Sequence, residues 1–140
     1  MRLTAMTDFS LRLLMYVAQQ DDDQLCTIAE IAGVYGLSEA HLMKITNHLS
    51  RVGWIETVRG KGGGIRLAKP AEKIKLGDVV RTVENDFALV ECFSSGNNCV
   101  LDSHCKLASV LGQALSQFMM HLDQHTLADI LPVKKVLLQI

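Results

Sequence analysis

Three cysteines, Cys92, Cys99 and Cys105, follow the pattern C-x6-C-x5-C. The residues between them, Ser94-Ser95-Gly96-Asn97-Asn98 and Asp102-Ser103-His104, have loop character. Three thiols on one loop can converge on a point, which is what a metal ion or an iron–sulfur cluster requires. An odd cluster of cysteines is a poor disulfide framework. The spacing matches neither a C-x2-C zinc knuckle nor the ferredoxin runs. Three chemistries therefore stay open: an iron–sulfur cluster, zinc, and a thiol redox switch. Three thiolates leave one coordination position for another donor. Its candidates are His104, Glu91, Asp86, or a residue of another chain such as Asp8. Cys26 stands apart, beside the start of a helix, and reads as a small buried residue.

A second group of residues is basic. The chain has 140 residues and a net charge of −1, which taken alone argues against a nucleic-acid partner. The charge is unevenly placed: residues 1–37 carry −3, residues 38–81 carry +5, and residues 82–140 carry −3. The basic block holds Lys44, Arg51, Arg59, Lys61, Arg66, Lys69, Lys73, Lys75 and Arg81. A basic stretch of this kind is an electrostatic footprint for phosphate when a suitable fold carries it.

The elements around that block meet the requirement. Thr27-Ile28-Ala29-Glu30 is a capping box that opens a short helix, expected to stop near Gly33. Val34-Tyr35-Gly36-Leu37 reads as a tight turn, and Ser38 caps a second helix over 39–52. Its inward stripe is Leu42, Ile45, Leu49 and Val52; its outward face carries Ala40, His41, Lys44, Asn47 and Arg51. Residues 54–58 and 65–68 have strand composition, with the glycine-rich basic turn 59–64 between them. Helix, turn, helix and hairpin make a winged helix-turn-helix. In such a fold the second helix enters the major groove, so Ser38, Ala40, His41 and Lys44 are placed to meet DNA. The hairpin tip, Arg59, Gly60, Lys61, Gly62 and Gly63, suits a narrow minor groove: glycine adds no bulk and arginine follows the negative potential. No Gly-Lys-Ser/Thr opens a helix here, so the turn is not a phosphate-binding P-loop.

The rest of the chain frames these parts. Thr7 reads as the N-cap of a first helix with Asp8 in its first turn and Leu11, Leu14, Met15 and Ala18 at helical spacing. The run Asp21-Asp22-Asp23 ends it. A short helix is expected over 74–83 and a long one over 106–124. The long helix carries the stripe Leu107, Leu111, Ala114, Phe118 and Leu122. Half the residues, 49%, are hydrophobic and 21% are charged, a globular composition. No apolar run is long enough to span a bilayer and no secretion signal is visible, so the expected location is cytoplasmic, away from membranes. The five histidines are scattered, with no nucleophile–base pair, which disfavours an enzyme. The expected organisation is a DNA-binding unit over 1–83, a cysteine loop over 84–105, and a dimerisation segment over 106–140.

Several motifs occur together: Met1-Arg2-Leu3-Thr4, Val34-Tyr35-Gly36-Leu37-Ser38, Val58-Arg59-Gly60-Lys61-Gly62-Gly63-Gly64, Lys75-Leu76-Gly77-Asp78-Val79-Val80 and the three cysteines. In this combination the chain resembles the bacterial winged-helix family of iron–sulfur transcription regulators. Thr7-Asp8-Phe9 and Thr126-Leu127-Ala128-Asp129 resemble its nitric-oxide-sensing branch. The resemblance covers nearly the whole chain. It implies a homodimeric repressor that grips a pseudo-palindromic double-stranded operator, with nitric oxide as its signal. It implies a cluster on Cys92, Cys99 and Cys105, [4Fe–4S] favoured over [2Fe–2S]. The branch that senses iron–sulfur status uses a histidine shortly after the third cysteine, where this chain has Lys106-Leu107-Ala108. Asp8 of the partner subunit is thus the first choice for fourth ligand and His104 the second. The alternative function is the same DNA-binding fold sensing iron–sulfur status or redox through cluster, zinc or thiol chemistry.

Overall fold

The computed structural model describes residues 2–21, 24–101 and 104–132. It contains α1 (Ala5–Ala18), α2 (Ile28–Tyr35), α3 (Glu39–Arg51), a hairpin of β1 (Ile55–Val58) and β2 (Gly64–Leu67), then α4 (Leu76–Val83) and α5 (Lys106–Asp123). This is a mainly α-helical winged helix-turn-helix followed by a long helix.

Local chemistry sets most boundaries. At α2, Thr27 and Glu30 form both halves of the capping box, with contacts of 3.2 and 2.7 Å. The helix passes through Gly33 and ends at Gly36, whose φ of 64° is left-handed. The expected stop at Gly33 is thereby corrected: Val34 and Tyr35 are helical, because only Gly36 supplies the left-handed cap. Ser38 caps α3 as expected, accepting from the His41 amide at 3.2 Å. Leu42, Ile45 and Leu49 are buried, and Val52 is the half-buried C-cap.

The N-terminus of α1 differs from expectation. The N-cap is Thr4, not Thr7, and Asp8 still falls in the first turn. Thr7 is buried, its amide bonded to Thr4 Oγ1 at 3.3 Å. The expected apolar stripe is also displaced: Leu13, Leu14, Tyr16 and Val17 are buried, whereas Leu11, Met15 and Ala18 lie at the edge of the core. Helical spacing alone fits both neighbouring stripes. Asp22 and Asp23 lie outside the described residues.

β1 and β2 pair antiparallel, Ile55 opposite Leu67 and Val58 opposite Gly64. Cys26 adds a one-residue bridge to Ile65, with mutual backbone bonds of 2.9 and 2.8 Å. The base of the hairpin is therefore tied to the segment that leads into α2. A Cβ at Gly63 would collide with the Val58 carbonyl, so the turn closes this tightly only with glycine.

One hydrophobic core runs from Leu13 and Leu14 through Ile31, Ile45, Leu49 and Ile55 to Val79 and Leu127. Leu127 arrives after α5, held by its amide on the Ile74 carbonyl at 2.8 Å. The end of α5 is thus sewn back to the winged helix. A second link is ionic: Arg81 of α4 forms two bonds of 2.6 Å with Asp123 of α5. Hydrogen bonding to Arg81 is the main cause that holds the Asp123 carboxyl below its usual range. Its contribution is present above the ordinary carboxylate value, about pH 4, and is lost as the pH falls through the lowered value. Thermal melts of wild type and Arg81→Ala should differ by a small amount near neutrality and converge in acid. A difference that persists or grows in acid would contradict this assignment.

Candidate functional site: a basic reading surface and a cysteine segment

Of the residues expected to meet DNA, Ser38, Ala40 and Lys44 lie exposed along the first turns of α3. Asn47 and Arg51 continue that face. His41 is placed differently, since its ring meets Phe9 of α1 edge-on at 5.4 Å. Its Nε2 is buried without a partner. The outward position expected for His41 is corrected to the α1–α3 seam. Sequence spacing missed this because position 41 falls on the border between the two faces of α3. Met43, not singled out from sequence, is 48% exposed on α3.

The wing tip holds Arg59, Gly60, Lys61 and Gly62 exposed and Gly63 half-buried. The pattern of pairing within the basic block is informative. Arg66 is engaged across the hairpin by Glu56 at 2.9 Å, and Arg81 by Asp123. Lys69 lies over the Trp54 ring at 5.0 Å. Among the described residues, Lys44, Arg51, Arg59 and Lys61 form no ion pair. Unpaired positive charge, which Lys73 and Lys75 share among the described residues, thus lies on the outer face of α3 and on the wing tip. Both are surfaces that a duplex can reach.

Among its described residues the cysteine segment has little regular structure. Cys92 is half-buried in the short 3-10 turn Glu91–Phe93. Cys99 is exposed, its amide bonded to Asn97 Oδ1 at 2.9 Å. Cys105 is half-buried at the N-cap of α5. All are free of disulfides. The donor set fits an iron–sulfur cluster in kind: three thiols free of disulfides on a segment whose described residues form short turns. Among the described residues no three His, Cys, Asp or Glu side chains are gathered as a metal site. His104 is exposed one residue before Cys105, and Glu91 and Asp86 are exposed too. Asp8 is half-buried and holds Arg12 through contacts of 2.9 and 3.1 Å.

Cys26 belongs to a different environment. It is 1% exposed, and burial first, then the Glu30 carboxylate, push its thiol up to about 12. It stays protonated near neutrality and is a core residue, as its sequence context implied.

α5 has no buried residue. Of its expected stripe, Leu107, Ala114 and Phe118 are exposed, and Leu111 and Leu122 are half-buried. Val110 and Met120 are exposed as well. No helix among the described residues is long and apolar enough to cross a membrane.

Two residues that sequence reasoning left unassigned meet at the end of α4. His48 Nε2 lies 3.0 Å from the Thr82 carbonyl, which requires a proton on that nitrogen. Trp54 Nε1 donates to Thr82 Oγ1 at 2.7 Å. No sequence pattern announces contacts between residues so far apart.

The chain is similar to curated relatives named as the transcriptional regulator NsrR. That of Bacillus licheniformis is 47% identical over 94% of this chain and 92% of the relative. That of Bacillus subtilis strain 168 is 43% identical over 100% of this chain and 97% of the relative. Among solved structures, T. potens IscR is 25% identical with a TM-score of 0.73, covering 93% of this chain and 85% of the other. The oxidized form of Staphylococcus aureus CymR is 26% identical with a TM-score of 0.72, covering 91% and 93%. The NsrR relatives are named as transcriptional regulators, and the chain is a regulator, not an enzyme. The family model for Rrf2, described as an iron-dependent transcriptional regulator, matches residues 3–132, so the chain belongs to the Rrf2 family.

Proposed function

We propose that this chain is a cytoplasmic, homodimeric repressor whose affinity for operator DNA is switched by an iron–sulfur cluster that reacts with nitric oxide. The observation that carries the DNA-binding part is the set of unpaired cations Lys44, Arg51, Arg59 and Lys61 on α3 and the wing. α3 enters the major groove with Ser38, Ala40 and Lys44 foremost, and the wing tip follows the minor groove. The uncovered apolar side of α5 supports pairing with a second copy, which sets two α3 helices against the halves of a pseudo-palindrome.

Cys92, Cys99 and Cys105 hold the cluster, [4Fe–4S] in preference to [2Fe–2S]. Asp8 of the partner subunit is the first choice for the fourth ligand and His104 the second. When bound, the cluster supplies iron that can combine with a small diatomic molecule. The cysteine segment keeps one arrangement while its thiols are ligands and relaxes when they are freed. Asp8 lies on α1, whose Phe9 touches His41 of α3, so α1 stands between the ligand set and the reading helix.

The test is operator binding by anaerobically loaded protein before and after nitric oxide, beside iron and sulfide assays. Loss of binding on nitric oxide supports the reading; colourless, iron-free protein after reconstitution sinks it. Replacing both Arg59 and Lys61 with alanine should weaken binding and lower the log–log salt slope by about 2, one for each phosphate contact, with unchanged iron content. An unchanged slope would remove the wing from the interface.

A further inference from the structure

The first turn of α1 is completed from a distance. In a capping box the N3 residue is Glu or Gln, and its side chain accepts from the N-cap amide. Glu30 does this within α2. At α1 the N3 residue is Thr7, which has no carboxylate. Glu84 fills the role from 80 positions away. Its Oε2 accepts from the Thr4 amide at 3.1 Å, from Thr4 Oγ1 at 3.1 Å and from Thr7 Oγ1 at 2.5 Å. A carboxylate there also faces the positive end of the helix dipole.

Glu84 is at once the C-cap of α4, with its amide on the Val80 carbonyl at 2.8 Å, and the first residue of the 84–105 segment. Two positions earlier, Thr82 takes the contacts from His48 of α3 and from Trp54 at the foot of the wing. Three elements of the DNA-binding unit thus converge on residues 82–84. The chain leaves that junction directly into the cysteine segment.

We propose that Glu84 is the positioning residue that carries the state of the cysteine segment to α1 and, through the junction at 82–84, to α3 and the wing. This rests on the cluster-switch reading above. While the thiols are held, Glu84 keeps the first turn of α1 closed around Thr4 and Thr7. When the segment relaxes, Glu84 withdraws and that turn, which bears Asp8, opens. Glu84 touches neither DNA nor the ligand set, so it acts only through what it holds.

The test uses full-length protein, reconstituted anaerobically with ferrous iron and sulfide or left metal-free. The DNA probe is a fragment selected with wild-type protein from a random-sequence library. The readout is the ratio of affinities of the two forms. Glu84→Ala should reduce that ratio by about fivefold or more, the range of an ordinary coupling between sites, with iron content retained. Adding Thr7→Glu to Glu84→Ala returns a carboxylate to N3 on α1 itself. It should restore the melting temperature but not the ratio, which a purely structural cap would restore as well. In wild type, the amides of the first turn of α1 should exchange faster in the metal-free form. Equal exchange in the two forms, or a wild-type ratio in Glu84→Ala, overturns the proposal. If wild type itself shows no ratio, the cluster-switch reading has failed, and this inference with it.

Discussion

Replacing Cys99 with alanine is expected to abolish iron loading while leaving a folded dimer. The side chain is exposed and outside the core, and only its backbone is engaged, by Asn97. Away from buried features a substitution changes stability by about 0.5 kcal/mol or less. The effect on a three-thiolate site is of another order, because one donor in three is removed. Cys26→Ala is the control with the opposite signature: iron content should persist while stability falls, since this thiol is buried in the hydrophobic core. Iron and acid-labile sulfide per chain, visible absorbance and circular dichroism on all three proteins decide the matter. Normal loading of Cys99→Ala, or loss of iron in Cys26→Ala alone, would reverse the assignment. The wild-type count also separates about four irons per chain from about two.

The second large effect is on folding. Leu14 is fully buried on α1, in the core that also holds Ile45 and Leu49 of α3. Truncation to alanine should cost about 2–5 kcal/mol. Domains of this size are stable by only about 5–15 kcal/mol, so the variant should be close to unfolding under mild stress. Denaturant titration at fixed protein concentration measures it, because association would otherwise shift the midpoint. A loss below about 1 kcal/mol would mean that α1 is not an integral wall of the core.

Much of the reading surface was legible because its signals are local. Ser38 caps α3 three residues from the amide that it accepts, and Leu42, Ile45 and Leu49 repeat at helical spacing. The glycine run of the wing advertises a turn that only small residues can close. Two of the errors trace to contacts between distant residues, whereas the stop expected at Gly33 misjudged a local cap at Gly36. Thr7 looked like an N-cap because the carboxylate that completes the true cap at Thr4 is Glu84. His41 looked outward because Phe9, which its ring meets, lies on another helix. Leu127 gave no periodic signal, yet it is wholly buried beneath Ile74. The cysteine segment is the reverse case. Residue type and spacing announce ligands, whereas the short turns at Glu91–Phe93 and Asn97 do not by themselves bring the thiols together.

The hairpin is anchored at its foot by Ile55, Ile65 and the bridge to Cys26, while residues 59–62 at its tip are exposed. Mutational drift is therefore cheap at one end and costly at the other. Exchanges of charge at Arg59 or Lys61 leave the hydrophobic core untouched, so under the DNA-binding role proposed for the wing selection can retune the strength of a regulon without redesigning its regulator. Paralogues that have parted in their operators should differ first at the tip and on the outer face of α3, and last at the foot of the hairpin.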